Sequence, residues 1–210
     1  MRPLPFQYVF TFYHTKSTTS HTPTLLSDTV PDIAAFYKIY NNFPFSSLAA
    51  KDGVHFFRAG VKPLWEDEEN LEGGCWTVKV RKEDGRSLRT WEELCLMVLG
   101  GELQSVVAKE RDHILGLSYS PRLYYAHISI WTKQGDNKRS IEVLQRTIVE
   151  RLSPELRPTS ELEYYFKKHS EHQGWEGVTR QVREQGQSKA EQHEENVVIS
   201  INEEQETMPP

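Results

Sequence analysis

Cysteine is scarce in this chain. Cys75 and Cys95 are the only two in 210 residues, and they are too far apart for a Cys-x-x-Cys pair. Neither a disulfide framework nor a thiolate zinc site is therefore indicated. No apolar run approaches the roughly 18 residues a membrane-crossing helix needs, and no signal-peptide pattern is read at the start. The expected setting is a reducing one, cytoplasmic or nuclear. An excess of positive charge is also missing. Lys and Arg total 25 against 30 Asp and Glu, a net charge of −5. A protein that coats nucleic acid through its phosphates would be basic, so any nucleotide reading here is local. There is no glycine-rich phosphate loop, no Ser-His-Asp grouping and no metal-ligand cluster. His169 and His172 stand three apart without a third ligand nearby. Neither an enzyme nor a cofactor-binding protein is expected.

The chain is richer in aromatic residues, at 11%, and these fall into periodic segments. Its length fits one domain of about 150–170 residues plus a tail. Gln7–Tyr13 reads as a strand, and the Thr-, Ser- and Pro-laden His14–Asp28 as a mobile loop. Asp32 is placed to cap a helix running to Asn42, with Ile33, Phe36, Tyr37 and Tyr40 at helical spacing. Val54–Arg58 and Trp76–Val80 read as strands, and Asp84-Gly85 as the tip of the turn Arg81–Arg86. A second helix is expected over Leu88–Leu99, stopped by Gly100-Gly101. Two strands follow, His113–Ser120 and Tyr124–Trp131. A third helix covers Asn137–Leu152, and a last strand Glu161–Phe166. The fold class is α+β, with the helices on one face of an antiparallel sheet. The domain is bounded at 1–171. The segment 172–210 is dominated by Gln, Glu, Lys and Ser and is expected to be a disordered tail.

One loop concentrates the chemistry. Pro63-Leu64-Trp65-Glu66-Asp67-Glu68-Glu69 is opened by a proline and closed by Gly73-Gly74, whose capacity for positive φ favours a defined turn. A loop Trp is ordinarily a core plug, and an acidic run ordinarily a solvated face. In this pairing, however, Trp65 offers a flat π-face and Glu66 two acceptor oxygens beside it. They suit a planar ring with two adjacent N–H donors, such as guanine N1 and N2, and a cationic ring would add a cation–π attraction.

Lys62-Pro63-Leu64-Trp65-Glu66-Asp67-Glu68, followed by Gly73-Gly74-Cys75-Trp76, resembles the signature of the eukaryotic initiation factor 4E family. The resemblance covers roughly residues 3–170. It implies a curved sheet like a cupped hand with three helices on its convex back. It also implies a non-enzymatic protein that binds the 7-methylguanosine cap of mRNA. Trp65 would stack on the methylated base and Glu66 accept from its edge. Arg122, nine residues before Trp131, would hold the triphosphate, and Trp131 would pack near the methyl group. Two further basic positions of the family fall on Tyr124 and His127, which implies weaker phosphate clamping. The second stacking aromatic, sixteen residues before Phe36, falls on Ser20. Its neighbour His21 is the remaining candidate, because no Trp, Tyr or Phe lies between Tyr13 and Phe36. The divergent loop and the Val80-Arg81-Lys82 that follows Trp76 look more like the 4E-homologous-protein subclass, whose members often repress translation.

The resemblance also implies a partner surface at Pro3, Leu4, Ile33, Tyr37, Glu93, Leu96 and Gly100. It would receive a helical Tyr-x-x-x-x-Leu-apolar peptide from a 4G-like scaffold or a 4E-binding repressor. Leu96 is informative without the family, since it lies one position off the inward stripe beside Glu92 and Glu93. Such a residue is commonly an edge of core and otherwise part of a partner groove. Two other functions compete. One is a degenerate scaffold that binds proteins with little cap affinity. The other is a nucleotide hydrolase using Glu66-Asp67-Glu68-Glu69 as metal ligands, which the contiguity of these carboxylates and the Trp-Glu pattern argue against.

Overall fold

The computed structural model describes residues 4–18 and 20–185, except the side chains of Ser20 and His21. The chain falls into two compact units, Met1–His172 and Gln173–Pro210. The first unit is built on seven strands, β1 (Pro5–Lys16), β2 (Ser20–Asp32), β3 (Gly53–Arg58), β4 (Gly74–Arg81), β5 (Ile114–Pro121), β6 (Tyr125–Thr132) and β7 (Tyr164–Lys168). They form one sheet in the order β2-β1-β3-β5-β6-β4-β7, and every pairing is antiparallel.

The sheet's two faces follow from strand alternation. Phe10, Phe12, Val54, Phe56, Trp76, Val78, Leu117, Tyr119, Ile128 and Ile130 point to one side. There they pack with residues of α1 (Ile33–Tyr40), α2 (Arg86–Leu99), α3 (Glu102–Val107) and α4 (Lys138–Arg151). The aromatic surplus is spent here: Phe10 stacks on Phe56 at 4.5 Å, and Trp91 is fully buried. Asp32 caps α1 by accepting from the Ala35 N–H, and Asn137 caps α4 by accepting from the Ser140 N–H, each worth about 1 kcal/mol. The opposite face carries Tyr13, His55, Phe57, Ser118, His127, Trp131, Thr77 and Lys79. Only Phe57, Val61 and Leu115 form a small buried cluster on that side, with Tyr13 and Trp131 packed against it.

The structure corrects four expectations. His14–Asp28 is not a loop. It continues β1 and forms most of β2, with Tyr13 opposite Leu25 and His14 opposite Thr24. Its threonines are good strand formers, and as the sheet edge β2 tolerates Pro23 and Pro31, which a central strand would not. Gly101, at φ 74°, ends α2 as expected, but the chain restarts at once as the unanticipated α3. The last strand begins later than read, because Ser160 accepts from the Leu162 N–H and turns Glu161–Glu163 into a short 3-10 helix. Finally, 175–185 is helical rather than disordered. Trp175, Val178 and Val182 have the spacing of one helix face, which the polar composition around them masked. Residues 186–210 lie outside the described part. No helix among the described residues is long and apolar enough to cross a membrane.

Candidate functional site

The loop between β3 and β4 is braced from within. Asn70 is fully buried, and its side-chain amide donates to the carbonyls of Lys62 (2.7 Å) and Leu64 (2.8 Å). Asp67 accepts from the backbone N–H of Lys62 (3.2 Å) and of Glu69 (3.1 Å). The acidic run therefore divides its labour: Asp67 turns inward to hold the loop, while Glu66 and Glu68 are exposed. Gly73 and Gly74 are required for a reason other than positive φ. A Cβ on Gly73 would lie 2.1 Å from the Thr132 carbonyl oxygen, and one on Gly74 would lie 2.5 Å from the Phe166 ring. Replacing Asn70 by alanine would strip two partly buried carbonyls of their donor. A loss of about 2–3 kcal/mol in denaturant unfolding is expected, together with a looser Trp65.

Trp65 projects from this loop half-exposed, and a planar ring already lies on it. The His172 imidazole is parallel to the indole within 5°, with centroids 5.2 Å apart. His172 is 6.1 Å from His169, and His169 is 4.7 Å from Trp131. Trp131 in turn meets Phe57 edge to face at 5.2 Å. The two tryptophans singled out by sequence are thus joined by a run of two histidines on the open face. His169 is buried and its Nδ1 donates to the Asn70 carbonyl at 2.6 Å. Burial brings its pKa down to about 4 against that hydrogen bond, so the ring is neutral at physiological pH. Its Nε2 is buried without a hydrogen-bond partner. His172 is held below the ordinary histidine value, by burial first and then by Lys167, with Glu66 and Glu171 opposing.

Trp131 is anchored. Its Nε1 donates to Ser118 Oγ (3.0 Å), which lies 2.8 Å from His55 Nδ1. His55 Nε2 is 3.0 Å from Thr15 Oγ1, and burial lowers this histidine to about 3. Arg122 sits in the β5–β6 turn, its Nη1 donating to Ser120 Oγ (2.5 Å) and the Pro121 carbonyl (3.1 Å). Burial lowers its pKa from the usual guanidinium range. Tyr124 is exposed, and His127 lies on the open face between Arg122 and Lys79. His21 falls in β2, and its side chain lies outside the described part. The Cys75 thiol faces the site, but burial pushes it up to about 11, which leaves no thiolate nucleophile. No group of three His, Cys, Asp or Glu able to hold a metal occurs among the described residues.

The sequence reading missed His172 as a stacking partner. The signal available is its position three residues from His169, a spacing that by itself reads as one for a metal.

On the helical side, Ile33 and Tyr37 are one turn apart on α1, and Glu92 and Leu96 one turn apart on α2. The Tyr37 hydroxyl joins the pairs by donating to Glu92 Oε1 at 2.8 Å. Leu96 is 36% and Ile33 39% exposed. Glu93 accepts from the Ser153 N–H (2.6 Å), so one of its oxygens serves the domain itself. Gly100 caps α2 by donating to the Leu96 carbonyl. Leu4 is 87% exposed ahead of β1, and Pro3 lies outside the described residues.

The family model described as eukaryotic initiation factor 4E matches residues 5–182. The translation initiation factor NCBP of Arabidopsis thaliana is 28% identical over 151 residues, 69% of this chain and 65% of that protein. Human translation initiation factor 4E is 32% identical over 128 residues, 60% of this chain and 56% of that protein. The matched stretch thus spans less than two thirds of these relatives. Among solved structures, Ascaris suum eIF4E-3 with an m2,2,7G cap superposes with a TM-score of 0.68 at 21% identity, covering 82% of this chain and 94% of that one. The complex of Caenorhabditis elegans eIF4E-3 with the 4E-binding protein Mextli and a cap analog also scores 0.68, at 20% identity, covering 80% and 94%. At these identities the superpositions speak to the fold alone.

Proposed function

The chain belongs to the eukaryotic initiation factor 4E family, and from that premise we propose that it binds the 7-methylguanosine cap of mRNA and links it to partner proteins on its helical side. The observation that carries the reading is the braced Trp65, whose face already accepts a flat ring at stacking distance. Glu66 beside it is exposed and free of the bracing role that Asp67 performs. Trp65 stacks on the methylated base, Glu66 accepts from guanine N1 and N2, and Arg122 takes the phosphates. Trp131, fixed through Ser118, walls the far side. His21 is the weakest member of this set, with only its proximity to the family's loop position in support. The protein acts in the cytoplasm on translation initiation or its repression, as a binding module rather than a catalyst.

Retention on immobilised 7-methyl-GTP against GTP tests this. Selective retention of the methylated nucleotide is expected. Glu66→Ala removes a paired carboxylate contact worth about 1–3 kcal/mol, so guanine selectivity is lost. Glu68→Ala leaves it intact. Equal binding of both nucleotides, or equal effects of both substitutions, contradicts the assignment. The covering of Trp65 by His172 favours a second reading, a scaffold with little cap affinity. Absent retention with intact binding of a Tyr-x-x-x-x-Leu peptide would select it.

A further inference from the structure

A cationic and aromatic strip on the open face of the sheet lies outside the base-reading loop. On β6, His127 is opposite Lys79 of β4, and Tyr125 is opposite Arg81. On β7, Tyr165 pairs with Thr77, two residues from Lys79 on the same side of the strand. Lys79 Nζ lies 5.0 Å from the Tyr165 ring centre, and Arg81 lies 5.5 Å from the Tyr125 ring centre. Arg122 borders the same strip, close enough to feel the Tyr165 hydroxyl, and His127 feels both Arg122 and Lys79. Arg81 lies 3.8 Å from Glu83, itself exposed, and Glu163 lines a hollow with Lys79 and Arg81. In a chain of net charge −5, two cations and two tyrosines on three adjoining strands, with Arg122 in the β5–β6 turn beside them, are a local concentration.

We propose that this strip, formed by Arg122, His127, Lys79, Tyr165, Arg81 and Tyr125, binds the first nucleotides of single-stranded RNA beyond the cap. The inference rests on the cap reading above and extends it. Phosphates held at Arg122 leave the RNA chain at the border of the strip, so the path is continuous with the triphosphate site. Cations spaced between the exposed ring of Tyr165 and the half-buried ring of Tyr125 match what single strands require: charge along the backbone and π-faces for the bases. A globular acidic partner would want the charge without the rings. An anion at His127 also relieves the repulsion that Arg122 and Lys79 impose on its protonated form, so RNA binding takes up a proton there. Burial lowers this imidazole first, and the two cations add to it.

The test compares affinities of the full chain for 7-methyl-GTP, for a capped RNA of four nucleotides, and for the same RNA uncapped, each at several salt concentrations. The capped RNA should bind about tenfold tighter than 7-methyl-GTP, through stacking of a base on Tyr165. Three added phosphates should steepen the salt slope by about 2. Lys79→Ala with Tyr165→Ala should remove that increment and leave the 7-methyl-GTP affinity and the melting temperature unchanged. Arg81→Ala alone should flatten the salt slope in part. Equal affinity for 7-methyl-GTP and the capped RNA overturns the proposal, as does an increment untouched by the double variant. Binding of an acidic peptide to the strip with no RNA increment overturns it in favour of a protein partner. If 7-methyl-GTP fails to bind but the uncapped RNA binds in a Lys79-dependent way, the cap reading falls and the strip stands.

Discussion

Replacing His172 by alanine is expected to raise affinity for 7-methyl-GTP by about tenfold, whereas Trp65→Ala should abolish measurable retention. Both follow from one contact. Rings 5° from parallel with centroids at 5.2 Å leave no layer between them for a third ring. His172 lies on the side of Trp65 that leads through His169 to Trp131, the interval the base should occupy. The ligand must therefore displace His172, and a base–aromatic stack is worth about 1–3 kcal/mol. Removing the competitor returns part of that energy; removing Trp65 forfeits all of it. The pH dependence has a definite sign. His172 is held below its ordinary value while stacked, and the displaced ring in water regains a value of about 6.5. Between those two values the displaced ring binds a proton that the stacked ring does not, so acidification through about 6.5 weakens the stacked state. The groups facing the imidazole are Trp65, His169, Lys167, Glu66 and Glu171. Cap affinity should accordingly rise from pH 7.5 toward 6 in the unaltered protein, relative to His172→Ala, a comparison in which the ligand's own titration cancels. Tryptophan fluorescence titration reads both effects. Weaker binding by His172→Ala would make the histidine part of the site and not its competitor.

Local sequence carried the loop and the α1 cap, and long-range geometry was hidden. Pro63, Trp65, Glu66 and the two glycines lie in one short stretch of sequence, and Asp32 caps a helix that starts beside it, so pattern alone placed them. The role of Asp67 could not be separated from that of Glu66, because both are carboxylates in one run and only the fold turns one of them inward. His172 meets Trp65 across more than half the chain, and Lys79 meets Tyr165 across three intervening α-helices and two strands. No periodicity reports such pairs. The strand character of His14–Asp28 is hidden for a different reason. Its polar, Thr-rich composition resembles loop, but an edge strand exposed to solvent has no need of apolar alternation.

Leu96→Asp is expected to reduce binding of a Tyr-x-x-x-x-Leu-apolar peptide by orders of magnitude while retention on a cap matrix is unchanged. Leu96 is 36% exposed on α2, one turn beyond Glu92, and Tyr37 reaches Glu92 from α1. The hydroxyl–carboxylate bond ties α1 to α2 at Tyr37 and Glu92, and the interface proposed here takes in Ile33, Tyr37 and Leu96. An amphipathic helix laying its Leu anchor there would bury Leu96, and a carboxylate at that point would be desolvated without a partner, a cost of several kcal/mol. The substitution should cost the free protein little, because the aspartate of the unbound form stays in water. The sheet separates this patch from Trp65, since Phe10, Phe56, Leu117 and Ile128 fill the space between the helices and the strands. A peptide titration by calorimetry, paired with thermal melting, distinguishes the outcomes. Undiminished peptide binding would remove Leu96 from the interface. Loss of peptide and cap binding together with a lowered melting temperature would show that Leu96 serves the core and that the helical face is no separate site.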